Sequence, residues 1–384
     1  MTALPPGLGR APLHLVERIL GLRWDLVVLV SVVAGIGIAA LYSAADGNMQ
    51  PWATKQMTRF AIALIPMLGA ALLGVRRWFR IAYWTYIVTL LLIVAVDMRG
   101  FVGMGAQRWI DLGVIQLQPS ELMSLALVLS LGRYFHGLGD DNIAKFRYLV
   151  LPGLMILLPT ALILKEPDLG TAMVLLMSGL VVMFIARVRL LAFGVGIVAL
   201  GMSLPMVWKF LRDYQKVRIY TFLDPDSDPL GAGYHILQSK IALGSGGLFG
   251  KGFLHGTQSH LSFLPEKQTD FIFTTLAEEF GLVGSLVLLA LYSALIAYGF
   301  AIALRSRNHF GRLVCLGIVT NFFLYVFINI AMVTGLIPVV GVPLPLISYG
   351  GTAMLTVMFG IGLMMSIYLD RDVRLNRAGE AQPD

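Results

Sequence analysis

The sequence from Phe263 to Phe271 reads FLPEKQTDF, and it joins a long polar loop to an apolar run that continues to Ala303. About twenty apolar residues are enough for a helix to cross the hydrocarbon core of a bilayer. Asp270 therefore stands where a loop meets a membrane-spanning segment. Because an ionisable residue at such a boundary is costly unless it faces protein or water, Asp270 is the first candidate for a functional side chain.

The composition of the chain is that of a membrane protein. Hydrophobic residues make up 57% of the 384 residues and charged residues only 13%, about half the usual share in a soluble domain. We therefore predict an all-α polytopic membrane protein with about ten transmembrane helices. The apolar runs of spanning length begin near Leu26, Phe60, Ile81, Leu122, Leu149, Thr171, Leu190, Phe271, Leu313 and Gly351.

The Lys and Arg residues of the short connections predict how these helices are oriented, because such residues are enriched on the cytoplasmic side. With the N-terminus inside, the basic segments 76–80 and 305–312 fall on that side. The formal net charge of +7 is then mostly a topology feature, and no nucleic-acid partner is expected. The predicted parts are a cytoplasmic segment over residues 1–23, a membrane domain over 24–370 with a large extracytoplasmic loop over 208–270 between helices 7 and 8, and a cytoplasmic tail over 371–384.

Two acidic residues stand at predicted helix starts near the outer surface. Glu121 ends the motif QPSE and would enter the bilayer unless it met a cation, for which Arg108 is a candidate. Asp168 precedes the sixth helix and has two interpretations. It either caps that helix, as Asp commonly does, or lines a polar cavity with Lys165 and Glu166.

The glycine-rich stretch from Gly244 to Gly252 reads GSGGLFGKG and looks at first like a phosphate-binding loop. Ser245 breaks the nucleotide P-loop pattern, and Phe249 breaks the dinucleotide-binding spacing. Backbone amides in such a turn can still hold an anion. Glycine also serves sharp bends, and we favour a flexible re-entrant turn.

An α-helix that continues through the FLPEKQTDF region would align Asp270, Thr274 and Glu278 along one stripe. Glu278 would lie about 12 Å deeper than Asp270, from the rise of a helix, and an acid at that depth must face protein or water. The stripe therefore predicts one wall of a hydrated cavity. The apolar loop from Gly341 to Thr352, which contains Ser348, is expected to line the same cavity.

His255, His260, Glu266 and Asp270 lie close enough in the sequence to be candidate metal ligands. Their spacing fits no compact structural zinc pattern, so neither a protein-held metal site nor a tightly bound cofactor is expected. A loosely held divalent cation, Mg²⁺ or Mn²⁺, that bridges phosphate and carboxylate oxygens is consistent with these residues, since such ions need few protein ligands.

Several long motifs give the chain a family resemblance. In order along the chain they are GAQRWIDLG with QPSE, EPDLGT, FLDPDSDPLGAGYHILQSK, FLPEKQTDF and GVPLPLISYGG. This order is typical of the SEDS family, whose members act in bacterial shape, elongation, division and sporulation. The resemblance covers nearly the whole chain, and the stretch over residues 251–271 is more similar to RodA-type elongation members than to FtsW-type division members.

The resemblance implies a peptidoglycan glycosyltransferase that polymerises lipid II at the outer face of the bacterial inner membrane. It places Asp270 at the position of the family's essential catalytic aspartate. Two residues depart from the family pattern: Ser124 stands where Lys is common, and Gln268 where His is common. The positions that match substrate-site or activity residues of the family are Arg108, Glu121, Asp168, Gln215 and Arg218, and the cations that could replace the lost Lys are Lys165, Lys240 and Lys267.

The implied reaction needs one general base. The donor glycan is α-linked to undecaprenyl pyrophosphate and the polymer is β-linked, so a single inverting displacement by a lipid II hydroxyl suffices. Asp270 is the candidate base. The pyrophosphate leaving group needs charge neutralisation, which Arg108, Arg218, a Lys or a divalent cation could supply.

Three alternatives to this function or site remain open from the sequence. Asp270 could merely cap a helix. The polar cavity could pass the lipid II headgroup across the membrane as a flippase does, or the chain could be a non-catalytic scaffold of the wall-building complex. Further partners implied by the resemblance are a class B penicillin-binding transpeptidase and Mre-type elongation proteins, in addition to membrane lipid.

Overall fold

Helices account for most of the chain. The structure, a computed structural model, describes residues 15–99, 101–103, 106–111, 116–138, 140–143, 145–166, 168–210, 216–217, 220–222, 224, 232–260 and 266–380. The α-helices are α1 Leu15–Leu20, α2 Trp24–Ala44, α3 Ala53–Leu72, α4 Val75–Arg99, α5 Pro119–Gly137, α6 Asp140–Ile143, α7 Val150–Lys165, α8 Leu169–Ile185, α9 Leu190–Phe210, α10 Ala232–Ser245, α11 Thr257–His260, α12 Ile272–Arg305, α13 His309–Val333 and α14 Gly351–Leu369. The strands are β1 Phe101–Gly103, β2 Ala106–Asp111 and β3 Gln116–Leu117.

Each of the ten predicted apolar runs coincides with one of these helices. Six helices in the described part of the chain are long and apolar enough to cross a membrane, which makes the chain a multi-pass membrane protein. They are Trp24–Ala44, Val75–Met98, Phe146–Lys165, Ile272–Arg305, His309–Val333 and Gly351–Leu369. The segments Leu169–Ile185 and Leu190–Ala199 are apolar but shorter.

Helix α5 lies at the centre of the helical bundle. Helices α4, α8 and α13 pack around it, and α14 packs along α3. Most of the side chains of α5 are buried, including the serines of its first turns, Ser120 and Ser124. A helix that is buried on nearly every side presents no amphipathic stripe. Its sequence therefore predicts the length of the helix but not which of its faces packs on the other helices.

A three-stranded antiparallel sheet in the order β1-β2-β3 connects α4 to α5 along the chain. No strand was expected there from the sequence. Its two-residue strand β3 is tied to α14, because Thr352 Oγ1 donates a hydrogen bond to the carbonyl of Gln116 (2.7 Å) and accepts one from the amide of Gln118 (3.2 Å). The sheet thus holds Arg108, on β2, near the start of α5.

Helix α12 is interrupted at Gly281, whose backbone is non-helical (φ 65°, ψ −158°). The glycine-rich turn after α10 fills the break. The carbonyls of Glu278 and Glu279 accept hydrogen bonds from the amides of Lys251 and Gly252, both 3.0 Å. On the other side, the amides of Leu282 and Val283 donate to the carbonyls of residues 247 and 248 (2.9 and 3.0 Å). The re-entrant turn is therefore a bonded part of the helix break.

Glu278 is fully buried at this break, with 0% exposure. Its carboxylate accepts hydrogen bonds from Lys251 Nζ (2.6 Å) and from the amides of Thr257 and Gln258 at the start of α11 (2.9 and 3.1 Å). In this structure Glu278 fixes the glycine-rich turn and α11 to α12, and it is not exposed on a cavity wall.

Lys251→Met is expected to lower the free energy of unfolding by roughly 2 kcal/mol, because it leaves the buried Glu278 carboxylate without its cation. The loss stays below the cost of breaking a fully buried pair, since the Lys251 side chain is 27% exposed. Thermal unfolding of the purified protein measures the change, with Lys55→Met at an exposed site of α3 as the control. An equal melting temperature for both variants would contradict a stabilising role of the pair.

Candidate functional site

Asp270 lies in a tight turn between the long loop and α12, and its side chain is half-buried. Within the turn, Thr269 donates from its amide to the Glu266 carbonyl (3.0 Å) and from Oγ1 to Glu266 Oε2 (2.9 Å). The N-cap of α12 is Phe271. Asp270 therefore precedes the cap position, and the capping alternative does not describe its place in the structure.

The turn that carries Asp270 is fixed to the loop between α13 and α14. Asn329 Nδ2 donates to the carbonyl of Asp270 (2.9 Å) and to the carbonyl of Val342 (2.7 Å). A Cβ atom on Gly341 would lie 3.2 Å from Asp270 Oδ2, so the carboxylate packs against the backbone of this loop. The buried amide of Asn329, inside an apolar helix, thereby links α13 to the backbone on both sides of the carboxylate.

Ser348 makes the second connection between the two segments. It is buried, donates from Oγ to the Thr269 carbonyl (2.6 Å) and accepts from the Leu344 amide (2.7 Å). The amide of Tyr349 donates to the carbonyl of Gln268 (2.9 Å). Each of the backbone carbonyls at residues 268, 269 and 270 therefore accepts a hydrogen bond from α13 or from the loop before α14. Ser348 supplies one of these bonds and so stabilises the turn.

Glu121, Asp168 and Glu166 form an acidic group on the other side of the same loop. Asp168 caps α8 by accepting from the Thr171 amide (3.1 Å), and its other oxygen accepts from Gln118 Nε2 (2.8 Å). The first turn of α8 packs on the loop, since a Cβ atom on Gly170 would lie 2.9 Å from the Val340 carbonyl. The capping interpretation of Asp168 is confirmed, and it coexists with a position beside two further carboxyl groups.

The predicted pairing of Glu121 with Arg108 is wrong. Among the described residues, Glu121 Oε2 is buried without a hydrogen-bond partner, and Arg108 Nε donates to the carbonyl of Glu166 (3.2 Å). The β2 strand directs the guanidinium to the end of α7, a placement that depends on the unpredicted sheet. Ser124 Oγ donates to the Glu121 carbonyl (2.7 Å), so the residue that replaces the family's Lys makes a local bond within α5.

Glu166 lies in the connection between α7 and α8 and is buried. Burial raises the pKa of its carboxyl from an ordinary value of 4.5 to about 8, with Asp168 and Asp97 adding to the rise and Arg108 opposing it. The folded protein therefore binds a proton that the unfolded chain releases above pH 4.5. Its contribution to stability is complete below that pH and is lost as the pH rises towards 8.

Glu166→Gln is expected to become more stable relative to the wild type as the pH rises from about 5 to about 9, because Gln cannot ionise. Melting temperatures of both proteins in the same detergent, measured across this range, give the difference. Glu17→Gln, at an exposed site on α1, is the control. A difference that does not change with pH would show that Glu166 is already ionised in the folded protein.

The remaining predicted residues that the structure describes lie on α10, on α12 and in the turn that carries Asp270. Thr274 is buried and its Oγ1 is 3.0 Å from Ser239 Oγ, between α12 and α10. Lys267 is largely buried in the turn, whereas Lys240 is exposed and lies against Gly335 at the end of α13. Gln215 and Arg218 lie outside the described residues.

Two residues of α3 join the site without having been predicted. Gln56 is fully buried, and its Nε2 donates to the Ser348 carbonyl (2.9 Å). Arg59 lies over the ring of Tyr349, with 4.2 Å from Cζ to the ring centroid. The sequence feature that could have identified them is their spacing of three at the start of a helix that becomes apolar, which places both on one face.

No group of three or more His, Cys, Asp or Glu side chains that could hold a metal occurs in the part of the chain that the structure describes. Glu266 and Asp270 are the carboxylates of the turn that could supply a protein oxygen to a divalent cation.

Comparison with known proteins gives consistent matches over most of the chain. The family model FTSW_RODA_SPOVE, described as cell cycle protein, matches residues 17–372. The peptidoglycan glycosyltransferase MrdB of Escherichia coli strain K12 is 46% identical over 355 residues, covering 91% of this chain and 95% of MrdB.

Solved structures agree with the sequence matches. A chain of a peptidoglycan synthase complex, studied for the structural coordination of polymerization and crosslinking, superposes with a TM-score of 0.79 at 33% identity, covering 91% of this chain and 98% of that one. The crystal structure of the rod shape determining protein RodA of Thermus thermophilus gives a TM-score of 0.68 at 30% identity, with coverages of 91% and 97%.

Proposed function

The chain belongs to the FtsW, RodA and SpoVE family of cell cycle proteins and is a peptidoglycan glycosyltransferase of cell elongation, and we propose that Asp270 is the general base with which it polymerises lipid II. The observation that carries this assignment is the fixed position of the turn at residues 268–270. Hydrogen bonds from Asn329, Ser348 and Tyr349 hold its backbone at the end of the helical bundle. A carboxylate in a bonded turn can keep one geometry through the reaction.

Asp270 takes the proton of the attacking sugar hydroxyl as the new glycosidic bond forms. The hydroxyl oxygen of lipid II attacks the anomeric carbon of the donor glycan, the bond to undecaprenyl pyrophosphate breaks, and the configuration inverts from α to β. One displacement needs one base. Pyrophosphate leaves as an anion and needs no proton from the enzyme.

Cationic side chains around the turn neutralise the leaving group. Arg108 presents a guanidinium, which binds phosphate oxygens in a fork, and Lys240 and Lys267 supply further positive charge. Arg218 and Gln215 belong to the same proposed site through the family resemblance. A loosely bound Mg²⁺ or Mn²⁺ would add charge at the pyrophosphate when present. The acids Glu121 and Asp168 belong to the same proposed substrate site, and Asp168 also caps the first turn of α8.

The proposed topology has ten membrane spans, α2, α3, α4, α5, α7, α8, α9, α12, α13 and α14. The α3 and α5 helices carry polar residues at their starts, and the α8 helix is short. In this proposal they cross the bilayer in contact with the other helices of the bundle. Both termini are cytoplasmic, the long loop joins the seventh and eighth spans, and Asp270 faces outward. The distribution of Lys and Arg in the short connections supports this orientation.

The proposed partners are a class B penicillin-binding transpeptidase, Mre-type elongation proteins and membrane lipid. The first is supported by the solved synthase complex, which couples polymerization to crosslinking. A second membrane protein beside the polymerase would cross-link each glycan as it leaves the site. Lipid II and the undecaprenyl-pyrophosphate-linked glycan bind with their tails in the bilayer, which keeps both sugars near Asp270.

Sidedness of the reaction separates this function from a flippase and from a scaffold. The purified protein is placed in vesicles with labelled lipid II, and an enzyme that cannot cross the membrane digests only the polymer on one side. We expect polymer on the side of Asp270, with lipid II in the opposite leaflet unchanged. Transfer of lipid II between leaflets without polymer would indicate a flippase, and neither product, with the transpeptidase present, would indicate a scaffold.

A further inference from the structure

A cavity of about 370 Å³ opens between the ends of α5, α8 and α13. Its apolar wall consists of Leu138, Ile143, Ile185 and Leu313, and three basic side chains complete the lining, namely Arg187, His309 and Arg312. The cavity therefore combines an apolar wall with three basic side chains.

The cavity lies at the membrane surface opposite Asp270. His309 begins α13, and Asn329, which bonds the Asp270 carbonyl, follows it in the same helix. Twenty residues of α-helix rise about 30 Å, the thickness of a hydrocarbon core. The cavity is thus separate from the glycosyltransferase site and sits at the level of the headgroups of the other leaflet.

The two arginines have hydrogen-bonding capacity to spare. Both are exposed. Arg312 uses Nη2 to donate to the Ser306 carbonyl (3.2 Å), which leaves its other donors available. Within the described residues, no carboxylate pairs with the Arg187 guanidinium. Guanidinium groups on two different helix ends can hold one phosphate from two sides.

We propose that this cavity binds the phosphate headgroup of an anionic phospholipid, with Arg187 and Arg312 on the phosphate and the acyl chains along the apolar wall. The volume is at the lower end of the range for small-molecule sites, which suits a headgroup whose tails remain in the bilayer. Basic pockets between membrane helices are known to recognise anionic headgroups. A soluble anion would have no use for the apolar wall.

Native mass spectrometry of the whole purified protein tests this proposal, with phosphatidylglycerol as the anionic probe and phosphatidylcholine as the zwitterionic one. We expect Arg187→Gln and Arg312→Gln each to weaken phosphatidylglycerol binding about fivefold, from the attraction of a single basic residue for an anionic surface. Arg189→Gln is the matched control, because Arg189 is exposed in the same connection but does not line the cavity. Melting temperatures confirm that the variants are folded.

Three results would overturn the proposal. Equal weakening in the Arg189→Gln control would reduce the effect to general surface charge. Unchanged binding in both cavity variants would remove the site. Free glycerol phosphate that displaces the lipid at equal concentration would show that the cavity binds a soluble anion. Selective loss in the two cavity variants, without competition from glycerol phosphate, supports the phospholipid site.

Discussion

Asp270→Asn is expected to lower kcat for lipid II polymerisation by about 10²- to 10⁴-fold, the usual contribution of a positioned general base. Asn has nearly the same shape, and the hydrogen bond from Asn329 goes to the backbone carbonyl of residue 270, which the substitution keeps. Lipid II affinity is therefore expected to stay within about threefold, because the substitution removes the base for the transferred proton and keeps the shape of the side chain. Steady-state polymerisation rates and equilibrium binding measure the two quantities.

The matched control is Asp97→Asn. Asp97 lies in α4 and forms an ion pair with Lys165 in which both side chains are partly exposed. Exposed pairs contribute about 0–1 kcal/mol to stability, so this variant should polymerise at the wild-type rate. If Asp270→Asn also polymerises at the wild-type rate, the proton goes to another group.

Gly281→Ala is expected to destabilise the protein by roughly 3 kcal/mol or more, through backbone strain and a direct clash. Gly281 has a φ of 65°, in the left-handed region, and an added Cβ atom would lie 2.4 Å from the amide nitrogen of Gly250. The substitution would therefore expel the glycine-rich turn from the break in α12. The N-terminal part of that helix, which leads from Asp270 to the break, should lose its support, and activity should fall with stability.

Thermal unfolding of the purified protein measures this effect, with Gly244→Ala as the control. Gly244 lies in α10, and nothing is within 4 Å of its added Cβ atom, so alanine there should be neutral or slightly stabilising. Equal melting temperatures for the two variants would mean that the turn does not hold the break together.

The apolar helices could be predicted because length and apolar composition decide them, and those properties are local. Each predicted apolar run overlaps one observed helix, and six helices of the described residues are long and apolar enough to cross a membrane. The break in α12 could not be predicted, because Gly281 alone is tolerated in helices. What breaks the helix is the hydrogen bonding of a glycine-rich turn that lies well before it in the sequence.

The same distinction applies to the candidate site. The sequence predicts Asp270 as a candidate from its position at a membrane boundary and Ser348 from its non-helical loop. Their connection through Asn329 and Gln56 depends on how α3 and α13 pack, which one sequence does not specify. Opposite charge alone suggests an ion pair between Arg108 and Glu121. The position of Arg108 on the β2 strand instead places its guanidinium at the Glu166 carbonyl. Helical spacing alone places Glu278 on one stripe with Asp270. In the structure the Glu278 carboxylate is instead buried against Lys251 and the start of α11.

The most direct test of a glycosyltransferase with Asp270 as its base is the product made by the purified chain with its transpeptidase partner, whose cross-linking is blocked. The account predicts β-linked glycan polymer from lipid II with wild-type protein and polymerisation slower by about 100-fold or more with equally folded Asp270→Asn protein. Polymer at the same rate from both proteins would remove Asp270 as the base, and polymer from neither would contradict the glycosyltransferase itself.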